Sequence, residues 1–357
     1  MTRARTKTAP LVVLLLVAIL GLSFASLLHG STDILGPEEV LRGVLSWGGL
    51  DEPLDKGLQG VLLLRGRRTL VALGVGASLA FAGALLQGLF RNPLASPSVL
   101  GISTGASVGA SIAILAVGGY GLPMVVERAV EVAPFLVMVF AFLGALFTTL
   151  VVSALGTRGG RLSVPTLLLA GIAMNTCLGG VLAGIQAFAL SDNLEMAKAL
   201  MSWTFGSLTD HSAVRVAVVW IGLCTGLCVL PFVSRELDLF AGGEEDAAAL
   251  GVNVGRTKLL VLGAASLVTG TAVAVAGQIA FLGLVVPHVL RIFVGSSHLR
   301  ILPLSLLAGA TFLLGADLLQ RLILGTAYLG PGVLMSLIGG PFFLFLLVRS
   351  RKELRTW

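Results

Sequence analysis

The chain has 357 residues, of which 56% are hydrophobic and 12% charged, and its mean hydropathy is +0.99. A soluble chain of this size carries about 25% charged residues, so an ordinary water-soluble globule is excluded. The net charge of +6 is spread over loops and the ends of apolar runs, so it gives no nucleic-acid signal.

A membrane-spanning helix needs roughly 20 apolar residues. In chain order the apolar runs are Leu11–Leu28, Leu70–Phe90, Val99–Val117, Ala133–Leu155, Leu167–Leu190, Ala213–Val233, Leu259–Phe281, Leu282–Val294, Leu304–Leu319 and Val333–Val348, about ten in all. In lipid these must be helices, which satisfy their own backbone hydrogen bonds. The first run follows Arg3, Arg5 and Lys7, and Ser23–Ser26 resembles a signal-peptide cleavage region. Its full span length and the runs that follow favour a retained helix. The eighth run is short, contains Pro287 and is nearly continuous with the seventh, so nine spans is the alternative count. Gly36–Trp47 and Glu195–Gly206 read as helices outside the hydrocarbon, with Trp203 suited to a headgroup boundary. No polar stretch is long enough for a second domain, so residues 1–357 read as a single transmembrane domain.

An even number of spans puts both termini on one side. The N-terminus (Arg3, Arg5, Lys7) and C-terminus (Arg349, Arg351, Lys352, Arg355) are both basic, which predicts that both are cytoplasmic. The Arg158–Arg161 loop and the 234–258 loop then fall inside as well. Glycine numbers 46, much of it at four-residue spacing: Gly101, Gly105 and Gly109; Gly180 and Gly184; Gly222 and Gly226. Small residues allow close backbone approach where lipid supplies no hydrophobic drive between helices, so a tightly packed bundle is expected. Cys177, Cys224 and Cys228 lie within apolar runs and read as small buried hydrophobes. The four histidines are scattered and lack carboxylate neighbours in sequence, so no catalytic or metal site is expected.

Arg65, Arg67 and Arg68 head the second span on the side where topology disfavours arginine. Arg321 ends the ninth span on that same side, with Asp317 one turn back as its ion-pair partner. Headgroup binding and docking of an acidic soluble partner both fit this pattern. On the opposite side, Glu244, Glu245 and Asp246 favour a helix N-terminus, Ala247, Ala248, Ala249 and Leu250 continue it, and Gly251 stops it. A short helix with an alanine face fits a groove on another protein or an amphipathic connector. The segment 251–257 lacks the lysine and spacing of a phosphate loop. Ionisable groups within the spans are few, chiefly Asp317 and His288, which weighs against a proton- or sodium-coupled carrier.

The segments Arg65-Gly-Arg-Arg68, Gly83-Ala-Leu-Leu-Gln-Gly-Leu-Phe-Arg-Asn-Pro-Leu-Ala-Ser-Pro97, Leu100-Gly-Ile-Ser-Thr-Gly-Ala106, Leu167-Leu-Leu-Ala-Gly171, Trp203-Thr-Phe-Gly-Ser-Leu208, Ala249-Leu-Gly251, Phe281-Leu-Gly-Leu-Val-Val-Pro-His288 and Gly339-Gly-Pro-Phe-Phe343 resemble the FecCD-type permeases. These are membrane subunits of bacterial ABC importers for iron–siderophores, haem and cobalamin. The resemblance implies an all-α, BtuC-like type II importer fold of about ten helices in the bacterial inner membrane. It implies a homodimer with the path at its interface, a cytoplasmic ABC ATPase dimer and a periplasmic substrate-binding protein. ATP and magnesium would sit on the ATPase, with no cofactor on this chain. The resemblance also implies that Arg65, Arg68 and Arg321 dock the binding protein, although the family's Arg-Leu-Pro-Arg reads Arg-Gly-Arg-Arg here. Residues Glu244 to Gly251 resemble the coupling helix that sits in the ATPase. Ser163, Val164 and Thr104 correspond to the cytoplasmic gate, and Asn175 lies deeper in the same span as Ser163. An ion-coupled secondary transporter is the alternative class, and a purely structural membrane subunit the third.

Overall fold

The computed structural model describes residues 8–30, 34–52, 54–120, 123–158, 161–208, 212–324 and 329–350. Among them the chain forms fourteen α-helices. They are α1 (Thr8–Leu28), α2 (Pro37–Trp47), α3 (Lys56–Phe90), α4 (Ile102–Leu115), α5 (Pro123–Gly156), α6 (Val164–Asp192), α7 (Leu194–Phe205), α8 (Ala213–Leu227), α9 (Leu230–Leu239), α10 (Glu244–Ala249), α11 (Val254–Ala276), α12 (Leu282–Val294), α13 (His298–Leu324) and α14 (Pro331–Ser350). A short antiparallel ladder pairs Thr157 with Leu162 and Arg158 with Arg161 between α5 and α6. Arg3, Arg5, Lys7, Arg351, Lys352 and Arg355, on which the topology reading rests, lie outside the described residues, as does His211.

Each apolar run falls on a helix or a bent pair. Six helices are long and apolar enough to cross a membrane, and α8 with α9, bent by 55°, makes a seventh. The shorter apolar helices begin at Ile102, Leu282 and Pro331. The seventh and eighth runs stay separate because residues 277–281 leave the helix. Gly277 (φ +73) caps α11, and Phe281 (φ +63) occupies left-handed space just before α12. Helices α2 and α7 occupy the two segments expected outside the hydrocarbon. Pro37 at the helix start with Glu38 and Glu39 in the first turn opens α2. The Asn193 side chain accepts the Met196 N–H at 3.2 Å and caps α7.

Glycine sets the packing. Helices α3 and α13 run antiparallel with Gly76 facing Gly309, where a Cβ on either would overlap the other's backbone. Arg68 meets Asp317 at one end of this seam, and Gly88 meets His298 at the other. In the same way Gly101 faces Thr148, Gly105 faces Gly144 and Gly109 faces Phe140, so α4 lies antiparallel on α5 with glycine at every fourth position. Gly222 and Gly226 seat against Thr271 and Val268 of α11. The third stripe differs: Cβ atoms at Gly179, Gly180 or Gly184 of α6 would meet nothing within 4 Å. The buried core runs through α3, α4, α11, α12 and α13, with Phe81, Leu85 and Leu86 at its centre.

The outer surface is apolar, with Leu20, Leu169 and Ile323 each about 70% exposed. Cys177, Cys224 and Cys228 also lie exposed on that surface, which corrects the expectation that they are buried. An apolar outside makes both placements equally compatible with a run of hydrophobic residues.

The seams give a direct test. Gly83→Ala would drive a methyl group into the Gly283 backbone, and Gly105→Ala into Thr148 and Gly144. Each should destabilise the detergent-solubilised protein by about 1–3 kcal/mol. Gly263→Ala, which meets open space, should leave the thermal unfolding midpoint unchanged.

Candidate functional site

Three regions hold the residues singled out by sequence. At one end of the bundle, the α3 N-terminal half brings Arg65 and Arg68 beside the last turn of α13. Arg65 is 7% exposed and donates through Nη1 to the carbonyls of Leu27 (2.8 Å) and Leu28 (2.6 Å) at the end of α1. Arg68 grips Asp317 with two bonds, Nη2 to Oδ1 at 2.7 Å and Nε to Oδ2 at 3.1 Å. Arg321 pairs with Asp317 at 3.1 Å and donates to the His29 carbonyl and the Ser26 hydroxyl, each at 2.7 Å. Asp317 itself is 1% exposed.

Arg68 and Arg321 meet on Asp317, and Arg65 lies at the same end of the bundle. Their guanidinium groups stitch α1, α3 and α13 to one another. The i,i+4 pair of Asp317 and Arg321 was legible in sequence. The Arg68–Asp317 pair was not, since 249 residues separate the partners. Among the described residues the cluster sets three guanidinium groups against one carboxylate, an excess of positive charge.

At the other end lies α10. Gly243 (φ +126) takes a backbone conformation open to glycine and lets the chain turn into the helix, and Gly251 (φ +91) closes it. Glu244 accepts from Lys258 Nζ at 2.7 Å, and Lys258 is 4% exposed in its side chain. The Thr257 hydroxyl donates to the Glu236 carboxylate of α9 and to the Asn253 carbonyl. Ala247 is fully buried, whereas Glu245, Asp246, Ala248, Ala249, Leu250 and Gly251 are exposed. The helix is therefore clamped from below through Glu244 and Ala247 and presents a small-residue face with Leu250 standing out, 69% exposed. Lys258 and Glu236 were missed by sequence reading. Neither stands in a motif, and only the fold brings Lys258 to Glu244 and Glu236 to Thr257.

The third region runs along α6. Thr104 donates to Asn175 Oδ1 at 2.5 Å, and Asn175 Nδ2 donates to the Ser98 carbonyl at 2.6 Å. This polar knot ties α6 to the turn ahead of α4. Ser163, half-buried, bonds Thr166 at 3.0 Å at the start of α6, and Val164 follows it. Asn175 lies roughly 16 Å further along the axis at 1.5 Å per residue. Thr104 and Asn175 thus share one site, and Ser163 and Val164 another. Among the described residues no group of three or more His, Cys, Asp or Glu could hold a metal ion.

The FecCD transport family matches residues 14–349. The chain belongs to that family. It is 43% identical over 286 residues to a cobalamin import system permease protein, BtuC, of Halobacterium salinarum, covering 80% of this chain and 72% of the relative. It is 39% identical over 293 residues to the hemin transport system permease protein HmuU of Yersinia pestis, covering 82% and 84%. A solved ABC transporter described as metal-chelate type, in an inward-facing conformation, superposes with a TM-score of 0.77 at 26% identity over 94% of this chain and 97% of that one. The fold is therefore the all-α, BtuC-like permease bundle, embedded in a membrane.

The Asp317 cluster yields a stability prediction. Asp317→Asn removes from a buried site the carboxylate that both Arg68 and Arg321 pair with. It should destabilise the protein by about 3–5 kcal/mol. Thermal unfolding in detergent measures the loss, and a midpoint equal to wild type would show the pairs contribute nothing.

Proposed function

We propose that this chain is the permease subunit of an ATP-driven importer that carries a ferric siderophore, haem or cobalamin across the bacterial inner membrane. The observation that carries this reading is the clamped, outward-facing helix α10 on a chain of the FecCD family. A soluble motor must push on something rigid: Glu244 ties α10 to Lys258 of α11, Thr257 ties α11 to Glu236 of α9, and the alanine face of α10 stays open. ATP and magnesium belong on the partner ATPase, and the permease is not itself an enzyme. The end bearing α10 is cytoplasmic, with both termini on that side, and the arginine cluster is periplasmic. The whole chain acts as one membrane domain.

The field of the Arg65, Arg68 and Arg321 cluster suits an acidic binding protein. Docking there works through long-range attraction rather than unused hydrogen bonds, and long-range attraction acts mainly on the association rate. Because Arg65 and Arg68 also hold helices together, a binding assay on their variants needs a folding control.

A second copy of the chain would cover α6. Only 11% of its most apolar window is buried, and its glycine stripe at Gly180 and Gly184 meets nothing in the chain, whereas the other two stripes are closed by neighbouring helices. The path would then run between two copies of α6, past Asn175 and Thr104, with Ser163 and Val164 at its cytoplasmic mouth. The ion-coupled alternative needs a titratable carboxylate along the path. Asp317, the fully buried carboxylate described, is held by two guanidinium groups.

Two experiments test the reading. Ala248→Arg should leave the fold intact but abolish ATP-dependent uptake and loosen the ATPase, because a bulky charge cannot enter a packed groove. Uptake at the wild-type rate would contradict the coupling assignment. In a variant lacking Cys177, Cys224 and Cys228, Ser163→Cys should crosslink across the dimer axis in one nucleotide state only. Absence of the crosslink in every state would remove the gate assignment. Assays with ferric siderophore, haem and cobalamin, each with its binding protein, choose among the substrates.

A further inference from the structure

Beside α10 lies a cavity of about 780 Å³ that the reading above does not use. Three helix ends and one loop enclose it: the C-terminus of α3, the end of α9, the last turn of α12, and residues 296–298 ahead of α13. Arg91, Arg291 and Arg300 line it, with Asp238 the one carboxylate among the described residues. Asp238 is already spent: it accepts from the Ser297 hydroxyl at 2.8 Å and from the His298 backbone N–H and ring Nδ1 at 2.5 and 2.9 Å. Arg291 donates to Gln87. The other ring nitrogen of His298, Nε2, is buried in the wall without a hydrogen-bond partner. Arg91 is exposed and held in left-handed backbone (φ +49), which turns the chain away from α3 at the cavity mouth.

The cavity is continuous with the coupling helix. Ala241 lines it, and α10 begins three residues later. The Arg91 guanidinium lies 3.8 Å from where a Cβ on Gly243 would stand. A protein seated on Ala248–Leu250 would also cover this opening. Its charge then decides what can enter. Among the described residues, Arg91 and Arg291 with Arg300 outnumber one carboxylate in a partly enclosed site, where an opposite charge is attracted far more strongly than in open water.

We propose that this basic cavity receives an acidic side chain of the ATPase subunit, forming a second, charge-selective contact beside the coupling helix. The proposal rests on the coupling reading for the identity of the partner. The coupling helix supplies shape, and the cavity supplies charge. Such a division gives specificity and association rate to the charged contact.

The test measures binding of the cognate ATPase to the full-length permease in nanodiscs, as a function of salt. Discs of phosphatidylcholine with and without phosphatidylglycerol are compared. Arg91→Glu should weaken binding roughly tenfold at low ionic strength, and the difference should shrink near 1 M salt, where the screening length is about 3 Å. Arg91→Asn, whose side chain tolerates left-handed backbone, should weaken it less and in the same direction. It decides the matter if the glutamate variant fails to fold. A Glu→Lys or Asp→Lys change on the ATPase that restores binding to Arg91→Glu would identify the partner residue. Unchanged affinity and salt dependence for both variants overturns the proposal. So does a defect seen only in discs containing phosphatidylglycerol, which would assign the cavity to a lipid headgroup. Ala248→Arg separates the two readings. If it weakens binding while Arg91→Glu does not, the coupling helix stands and the cavity contact falls. If the reverse holds, the cavity contact stands and the coupling helix falls.

Discussion

The antiparallel seam between α3 and α13 is the contact on which the rest of the bundle depends. Its middle is backbone against backbone at Gly76 and Gly309. Its two ends are polar. One is pinned by Asp317 between Arg68 and Arg321, and the other by His298, which reaches Asp238 of α9. In lipid, side-chain burial gains little, because the surroundings are as apolar as the helix itself. Close backbone approach and satisfied polar groups must then carry the association, and this seam has both along roughly 30 Å of helix.

From that seam the two ends of the molecule acquire different characters. At the arginine end, charge is used inward: the guanidinium groups are bonded to α1 carbonyls and one carboxylate, leaving only a field outside. At the α10 end, charge is used outward. Glu244 and Lys258 fix the short helix, while Arg91 and Arg300 stand around a cavity beside it. Between them α6, like α1, has only 11% of its most apolar window buried, with Asn175 and Thr104 as its polar knot. A transport path needs such a helix, since a span sealed by its neighbours cannot open.

The FecCD family spans proteins whose substrates differ, as the names of a cobalamin and a hemin permease among its relatives indicate. On the proposed path the described polar residues carry no charge that would select one of them. Asn175, Thr104 and Ser163 are small and neutral, and two of the three are occupied with each other. Selectivity of this kind is better supplied before the membrane, by a binding protein, than within a weakly polar path.

The helices themselves were legible in sequence, because a bilayer leaves no other backbone solution for an apolar run of that length. The stop at Gly251 and the ion pair of Asp317 with Arg321 were legible too, since both are local consequences of helical spacing and backbone freedom. What sequence could not give was partnership across long separations. Three glycine stripes look alike as letters, yet two are closed by α5 and α11 and one lies open. Three cysteines in apolar runs gave no sign that they face outward. Arg65 and Arg68 read as surface charge until Leu27, Leu28 and Asp317 were placed beside them. Period and composition determine which helix a residue joins, but in a molecule apolar inside and out they do not say which face meets protein. Only the packed structure decides that.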